Sequence, residues 1–286
     1  MKQLLILLIS ALVFTSCYED ELRPAATFST TGFVPGFKWK LDASGSISAN
    51  GKIVSYRWDY DEDQSQYDTP WLTDPVYIAG AEPSYNDVKI VSLQIKDEAG
   101  FYGTISQRVT TSRIVYGMHT STIQNGNVKV SYNQYHRFEG EQSVYSSWML
   151  QNVYLRNSAS AINLPDSLKQ GSYLDWQGAD TLQMLGFTLP SKEEWQQIID
   201  LFFGNELAGF NLQVDNTYSI GLDTDGYIRN NQLLEQGEKG YFWTSTEEDE
   251  NNAWAVEVSK NSDSVRFVSL PKSAKCKTRL VKIITP

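Results

Sequence analysis

The sequence predicts two folded domains, a β-sandwich followed by an α+β domain, and three observations support this. From about residue 31 to residue 112, short alternating apolar runs are separated by Gly, Asn, Asp and Pro, as in a small sandwich. The pattern then changes, and an amphipathic helix is predicted among strand-like runs. The chain of 286 residues is long enough for two domains of roughly 100–200 residues each.

Alternating runs define the first domain. The run 53–60 has a predicted inward face of four apolar residues: Val54, Tyr56, Trp58 and Tyr60. The run 91–95 alternates in the same way, and the segment 104–111 is a third β-rich run. Several short strands within about eighty residues favour a sandwich over a single open sheet.

One helix dominates the second domain. Ser191 and Glu194 form a predicted capping box, and Gly204 is expected to end the helix. The apolar stripe of this helix has the spacing of a core-facing helix and comprises Trp195, Ile198, Ile199, Phe202 and Phe203. Strand-like runs are predicted at 126–132, 148–155, 253–258, 264–270 and 278–284. Together these elements predict an α+β domain.

The N-terminal segment has the pattern of a secretory signal. Lys2 is followed by the apolar run 4–13, and two small residues then lead to Cys17. This resembles the lipobox of bacterial lipoproteins, although Phe14 stands where that family prefers Leu. The resemblance implies that Cys17 carries a lipid anchor. A plain signal peptide and a transmembrane anchor are the alternatives, and the run is far shorter than the ~20 apolar residues that cross a bilayer.

The acidic residues that follow Cys17 are relevant to the cellular location of the protein. Glu19, Asp20 and Glu21 resemble the export signal of some Gram-negative gut-type lipoproteins, or they begin a solvated linker. The first interpretation predicts an outer-membrane protein that faces the cell exterior. The predicted boundaries are a signal peptide at 1–16, an acidic tether at 17–30, the sandwich at 31–113 and the second domain at 114–286.

Charge and cysteine content exclude some functions. The formal net charge is -10 and the sequence pI is about 4.8, so a phosphate backbone would be repelled and no nucleic-acid partner is predicted. The two cysteines are Cys17 and Cys276. If Cys17 is acylated, Cys276 has no disulfide partner and is expected to pack as a small buried residue.

Three segments of the first domain carry a family resemblance. Leu41–Ser46, Ile53–Tyr60 and Val91–Gly100 resemble the PKD domain in order and spacing. That family has an immunoglobulin-like sandwich and is common as a spacer in secreted bacterial proteins. The chain departs from the family at 60–63, where Tyr-Asp-Glu-Asp stands in place of an aromatic residue followed by Gly-Asp-Gly.

The second domain carries another resemblance. In order, its motifs look like the Fibrobacter succinogenes major paralogous domain, a branch of the C-type-lectin-like fold; they are Ser147–Val153, Gly186–Trp195, Tyr241–Glu247, Ala253–Val256 and Arg279–Lys282. That resemblance implies surface adhesion and ligand binding more often than catalysis. Met184 and Leu185 stand where the family often has a cysteine, so the disulfide that the family implies is absent.

Enzymatic motifs are sparse. The segment 189–195 also resembles formylglycine-generating oxidases, but their copper chemistry needs two thiols and only Cys276 is at hand. The histidines, His119 and His136, have neither the context of a nucleophilic triad nor the spacing of a zinc site. A carboxylate pair for glycoside hydrolysis stays open, because pairing is a property of the fold.

Three acidic segments are candidate cation sites. The segments 59–63, 223–226 and 247–252 bring several oxygens close together, but each lacks a full calcium loop. Solvated acidic turns are the favoured interpretation. The sequence therefore predicts no metal and no cofactor.

Aromatic residues near the loop-rich end of the second domain are the predicted ligand site. They are Tyr227, Tyr241, Trp243 and Trp254. The alternative is that Trp243 and Trp254 fill the core. The sequence thus predicts a lipid-anchored surface protein that binds a carbohydrate or a protein without catalysis. A carboxylate-dependent glycan hydrolase and a structural or adhesin subunit are the competing functions.

Overall fold

A computed structural model describes residues 23–31, 36–60, 67–80, 88–110, 119–125, 128–139, 142–153, 161–162, 171–213 and 219–285. Within these ranges the chain is mostly β-strand, in several antiparallel sheets with few helices. Two compact units divide it: Met1–Pro35 with Trp39–Thr111, and Gly36–Lys38 with Ser112–Pro286. The predicted lipidation site, Cys17, lies outside the described residues.

Six strands are described in the first unit. They are β1 (Ser29–Thr30), β2 (Trp39–Asp42), β3 (Ile53–Asp59), β4 (Val76–Ala79), β5 (Val88–Asp97) and β6 (Tyr102–Thr110). They form two antiparallel sheets, with strand orders β1-β2-β4 and β3-β5-β6. The second sheet alternates between buried and more exposed residues along β5, as expected for a sheet with one face on the core.

One apolar core joins these two sheets. Trp39 from the first sheet and Trp58 from the second both have 0% exposure. The Phe28 ring meets the Trp58 ring edge-on, with centroids 5.3 Å apart. Because both inner faces contribute to the same cluster, the first unit is a small β-sandwich, as the sequence predicted.

Two details of this unit differ from the sequence predictions. Val54 is 40% exposed instead of facing the core, because a β-bulge between Ile53 and Ser55 shifts the register at the start of β3. The folded region also begins within the predicted tether. Ala25 forms a bridge with Ile47, and Phe28 is buried in the core.

Thirteen strands and three helices are described in the second unit. They are β7 (His119–Asn125), β8 (Val128–Glu139), β9 (Gln142–Met149), β10 (Ala161–Ile162), β11 (Tyr173–Leu174), α1 (Trp176–Asp180), β12 (Gln183–Met184), β13 (Phe187–Thr188), α2 (Lys192–Leu201), α3 (Ala208–Gln213), β14 (Tyr227–Arg229), β15 (Gln232–Leu234), β16 (Lys239–Glu247), β17 (Asn252–Ser259), β18 (Val265–Pro271) and β19 (Val281–Ile284). None of the described helices is long and apolar enough to cross a bilayer.

Four sheets organise these strands. The largest has the order β12-β13-β19-β9-β8-β7, and a three-stranded sheet has the order β16-β17-β18. The pairs β10-β11 and β14-β15 form two-stranded sheets. The predicted strand at 148–155 is wrong in its bounds, because β9 begins at Gln142 and ends at Met149, although the Leu150 N–H still donates to the Ser131 carbonyl in the register of β8 and β9. Residues 154–155 of that prediction lie outside the described residues.

The capping-box prediction for α2 is confirmed. Ser191 Oγ accepts from the Glu194 backbone N–H at 3.1 Å, and Glu194 Oε2 accepts from the Ser191 N–H at 2.7 Å. The helix ends at Leu201, two residues before Phe203, the last residue of the predicted stripe. Phe203 and Gly204 both adopt positive φ angles, 75° and 81°, so the chain turns away before Phe203 can join the buried stripe.

Strands β16 and β17 are buried on both faces over most of their length. Trp243 pairs with Ala255 on the face that joins the main core cluster. Phe242 pairs with Val256 on the opposite face, where the Trp195 ring of α2 lies 6.2 Å away. Residues on β16 and β17 therefore reach the surface only near the ends of these strands.

Candidate functional site

Trp243 is the most buried of the four aromatic residues predicted to bind a ligand. It has 0% exposure, and its indole N–H donates to the Leu174 carbonyl at 2.8 Å. Because neither ring face reaches solvent, Trp243 occupies the position of a core residue. This agrees with the alternative that the sequence left open, and it argues against a stacking role for this ring.

Tyr241 is also buried and lies in an ionic network. Its hydroxyl oxygen is 2.5 Å from Glu235 Oε2 and 3.1 Å from Glu257 Oε2. Lys239 pairs with both glutamates, and Arg266 pairs with Glu257 at 2.6 Å. Burial, reinforced by these two carboxylates, raises the pKa of Tyr241, so the phenol stays protonated and donates.

The Glu235 carboxylate of this network is held in the charged form. Burial alone would raise the pKa of Glu235, but hydrogen bonds from Tyr241 and Lys239 hold it below its usual value. A general acid needs a raised pKa to be protonated near neutral pH. Glu235 therefore lacks the raised pKa of a general acid and is a charged partner of Tyr241 and Lys239.

Tyr227 and Trp254 are the two predicted aromatics that reach solvent. Both are half-buried. The Tyr227 ring packs on Tyr241, with centroids 4.7 Å apart. The Lys192 ammonium lies 3.5 Å from the centre of the Trp254 ring, in a cation–π contact that covers one face. Each ring thus has a partner on one side and some exposed area on the other.

A further group of polar residues, which no sequence motif brings together, lies in the second unit. We call it the Asp223 cluster; it consists of Asn152, Tyr173, Asp223, Asp225 and Lys277. The two aspartates lie in the loop before β14, and the other three come from the segment just after β9, from β11 and from the segment before β19. The fold therefore brings together polar groups from four separate parts of the chain.

Short polar contacts join the members of the Asp223 cluster. Asn152 Nδ2 donates to Asp223 Oδ2 at 2.5 Å, and Lys277 Nζ is 3.2 Å from Asp225 Oδ2. The Tyr173 hydroxyl donates to the backbone carbonyl of Asp225 at 2.6 Å. The Lys277 ammonium also lies 4.4 Å from the centre of the Tyr173 ring. The acidic pair is thus compensated by a cation of the chain itself.

Two glycines allow the aspartate loop to lie against β16. Gly226 has a φ of +77° and donates its N–H to the Lys239 carbonyl at 2.7 Å. A Cβ on Gly240 would be 1.9 Å from the backbone oxygen of Asp223, a distance that no side chain can occupy. The close approach of loop and strand fixes where Asp223 and Asp225 stand.

A buried arginine holds the loop that carries Asp223 and Asp225. Arg279 is 1% exposed, and it donates from Nη1 to the Met149 carbonyl and from Nη2 to the Gly221 carbonyl, each at 3.0 Å. Burial lowers the pKa of the guanidinium to about 10, so it keeps its charge at neutral pH. This charge ties the end of β9 to the start of the aspartate loop.

The two aspartates of the cluster differ in environment. Burial, and then the neighbouring charge of Asp225, raises the pKa of Asp223, while Lys277, Arg279 and Asn152 oppose the rise. The Asp225 side chain is 23% exposed and pairs with Lys277, which is 1% exposed. Both aspartates are half-buried as whole residues.

Sequence motifs indicated only some of the residues in the Asp223 cluster and around it. Asp223 and Asp225 were noted as an incomplete cation loop, and Arg279 was noted only as part of a family motif. The alternation of Lys275, Lys277 and Arg279 was the available signal that several cations share one extended segment. The described residues contain no group of three or more His, Cys, Asp or Glu side chains placed to hold a metal ion.

Comparisons with known proteins identify no family. No family model matches the sequence, and no curated protein matches it. Among solved structures, the chain aligns with a carbohydrate-binding module of the β-sandwich superfamily that was studied for its promiscuous specificity. The TM-score is 0.28 and 11% of residues are identical, over 93% of this chain and 92% of that chain. A TM-score this low does not define a shared fold.

Proposed function

We propose that this protein is a lipid-anchored cell-surface protein whose second unit binds a carbohydrate and leaves it unchanged. The observation that carries the proposal is the Asp223 cluster, where two carboxylates, an amide and an ammonium group meet at a half-exposed loop. Sugar hydroxyls both donate and accept hydrogen bonds, so a site with fixed acceptors and donors suits them.

Preorganisation supports this role. The aspartate loop is held by Arg279 and by the close packing of Gly240 against Asp223. Groups that are already fixed lose little conformational entropy when a ligand binds. A neighbouring aromatic edge, the half-buried ring of Tyr227 in the next strand, offers apolar contact for the ring face of a sugar.

The family resemblances complete the proposal. We assign the first unit to a PKD-like spacer and the second to a C-type-lectin-like domain, on the motifs quoted above. The anchor is Cys17, after signal cleavage, at the outer face of the outer membrane. Several acyl chains at one cysteine would make attachment effectively permanent, because each buried methylene contributes about 0.8 kcal/mol.

The anchor is tested by Cys17→Ser. The variant is expected to lose incorporation of labelled fatty acid and to move from the detergent phase to the aqueous phase in detergent partitioning. Cys276→Ser is the matched control, because that thiol is buried in the fold, and it should keep the label. A Cys17→Ser protein that still carries lipid would contradict the anchoring proposal.

The binding site is tested by Asp225→Asn in the detergent-solubilised full chain. On a glycan array followed by titration, the variant should bind its best glycan at least tenfold more weakly, since a hydrogen bond to a charged group contributes about 1.5–3 kcal/mol. Asp200→Asn removes the same charge from the exposed surface of α2 and should leave affinity unchanged. Equal affinities for parent and Asp225→Asn would refute the site.

Glycan hydrolysis is the second candidate function, and one observation favours it. The raised pKa of Asp223 beside a second carboxylate, Asp225, is the pattern of a general acid and its partner in glycoside hydrolases. The hydrogen bond from Asn152 and the cation Lys277 instead favour a permanently paired, non-catalytic role. Analysis of the oligosaccharide after incubation distinguishes the two functions, because hydrolysis shortens it and binding leaves it intact.

A further inference from the structure

The outer face of the sheet β3-β5-β6 in the first unit carries polar and charged side chains in register. Tyr56 and Trp58 of β3 point into the core, so the residues between and beyond them point outward. The strand register aligns three outward rows across the sheet: Ser55–Lys96–Tyr102, Arg57–Gln94–Thr104 and Asp59–Ser92–Ser106. We call this surface the Arg57 face.

Exposed aromatic rings border the Arg57 face. Leu72 pairs with Tyr56 through two backbone hydrogen bonds of 2.7 and 2.8 Å, which places Trp71 beside Arg57 at the edge of the sheet. Trp71 is 38% exposed and Tyr102 is 46% exposed. Their ring centroids are 5.8 Å apart and their planes are inclined by 43°. The rings of Trp71 and Tyr102 thus pack against each other at the solvent-exposed surface of a polar sheet face.

Arg57 is held in a fixed orientation on this face. Its guanidinium lies 3.9 Å from the Tyr67 ring centroid and 4.6 Å from that of Trp71. Its Nε and Nη2 donate to Gln94 Oε1 at 2.9 and 2.5 Å, and Gln94 Nε2 lies 3.3 Å from Thr104 Oγ1. The remaining guanidinium donors have no partner among the residues that the structure describes.

The charges on this face are unbalanced. Arg57, Lys96 and Arg108 all point outward, and none forms a salt bridge with a carboxylate within the described part of the chain. Asp59 is the acid in the same rows. In a chain with a formal net charge of -10, three cations without acidic partners on one sheet face stand out. Charge complementarity therefore calls for an anionic partner.

We propose that the Arg57 face is a second binding site, for an acidic polysaccharide that bears carboxylate or sulfate groups. The guanidinium fork matches an anionic oxygen pair, and Lys96 supplies a second charge one row away. The rings of Trp71 and Tyr102 supply apolar surface for the C–H face of a pyranose. The first unit is then a binding module as well as a spacer.

The alternative of a purely structural stack is distinguishable. Cation–π contacts between Arg57 and two rings stabilise the edge of the sheet whether or not a ligand binds. If the stack has only a structural role, variants of its residues should be less stable but should bind each polymer as the parent does. A binding role predicts weaker retention by acidic polymers in variants that stay folded.

The experiment is affinity electrophoresis and titration of the full chain, in an Asp225→Asn background that removes the site proposed for the second unit. The probes are polygalacturonate, chondroitin sulfate, neutral dextran and an oligo-dT strand. We expect binding to polygalacturonate, to chondroitin sulfate or to both, with affinity falling as salt rises, and no binding to dextran. The two acidic polymers show whether carboxylate or sulfate is the preferred group.

Trp71→Ala and Arg57→Gln should each weaken acidic-polymer binding at least tenfold. Phe101→Ala removes an equally exposed ring outside the three rows and should leave binding unchanged. Thermal unfolding checks that each variant is folded, and Arg57→Lys, which keeps the charge but loses the fork, should fall between parent and Arg57→Gln.

Four results would overturn the proposal: no binding of either acidic polymer, equal binding of dextran, equal or tighter binding of oligo-dT, or a folded Trp71→Ala that binds like the parent. Because the Asp225→Asn background is used throughout, failure here leaves the site of the second unit untouched. Failure of that site likewise leaves the Arg57 face to be judged on its own.

Discussion

Arg279→Ala is expected to lower the free energy of unfolding of the second unit by about 3–5 kcal/mol, because hydrogen bonds to a charged group contribute about 1.5–3 kcal/mol each and the loss of a large buried side chain also leaves a cavity. The guanidinium is 1% exposed and bonds to the carbonyls of Met149 and Gly221. Its loss removes the donor to the buried Met149 carbonyl and the donor to the Gly221 carbonyl, and it leaves a cavity where the side chain stood. It also removes a positive charge that opposes the raised pKa of Asp223.

Urea denaturation measures this loss, with Arg229→Ala as the matched control. Arg229 is exposed on β14, and its replacement should change stability by less than about 0.5 kcal/mol. Arg279→Lys keeps the charge but has a single ammonium in place of the fork, so it should lie between parent and Arg279→Ala. An Arg279→Ala protein as stable as Arg229→Ala would show that the arginine does not hold the aspartate loop.

Trp243→Ala is expected to be comparably destabilising, by about 3–5 kcal/mol, because a fully buried tryptophan would be replaced by a cavity. Its indole N–H also satisfies the Leu174 carbonyl at 2.8 Å, and that acceptor would lose its donor. The matched control is Trp254→Ala on the adjacent strand. That ring is half-buried, so its loss should cost clearly less stability.

Thermal and urea unfolding of these two variants decide between the core and ligand-binding interpretations of Trp243. A core residue predicts a large loss of stability for Trp243→Ala. If Trp243→Ala unfolds like Trp254→Ala and instead loses glycan affinity, the ring belongs to a binding site and the core assignment is wrong.

Local sequence signals predicted the local structure. The capping box of Ser191 and Glu194 depends on four consecutive residues, and it is confirmed at both of its hydrogen bonds. The alternation of Tyr56 and Trp58 likewise depends only on strand geometry, and both face the core. Val54 breaks the same pattern because a bulge shifts the register, and no residue type in the run marks the bulge.

Non-local structure was beyond the reach of these patterns. Trp243 and Trp254 look alike in sequence, but one lies on the sheet face that joins the main core and the other lies under Lys192 at the surface. Asn152 and Asp223 meet only because β9 and the aspartate loop are brought together in the fold. The stack of Arg57 on Trp71 similarly depends on a backbone pairing between Tyr56 and Leu72.

We propose that the second unit binds a glycan and leaves it unchanged, and recovery of the bound oligosaccharide tests this. The most direct measurement incubates the purified full chain with the end-labelled oligosaccharide that it binds best on the array, and then quantifies both retained label and new reducing ends. We expect saturable retention, full recovery of intact oligosaccharide and no reducing ends above the protein-free control. Release of shortened products by the parent, abolished in Asp223→Asn, would contradict it.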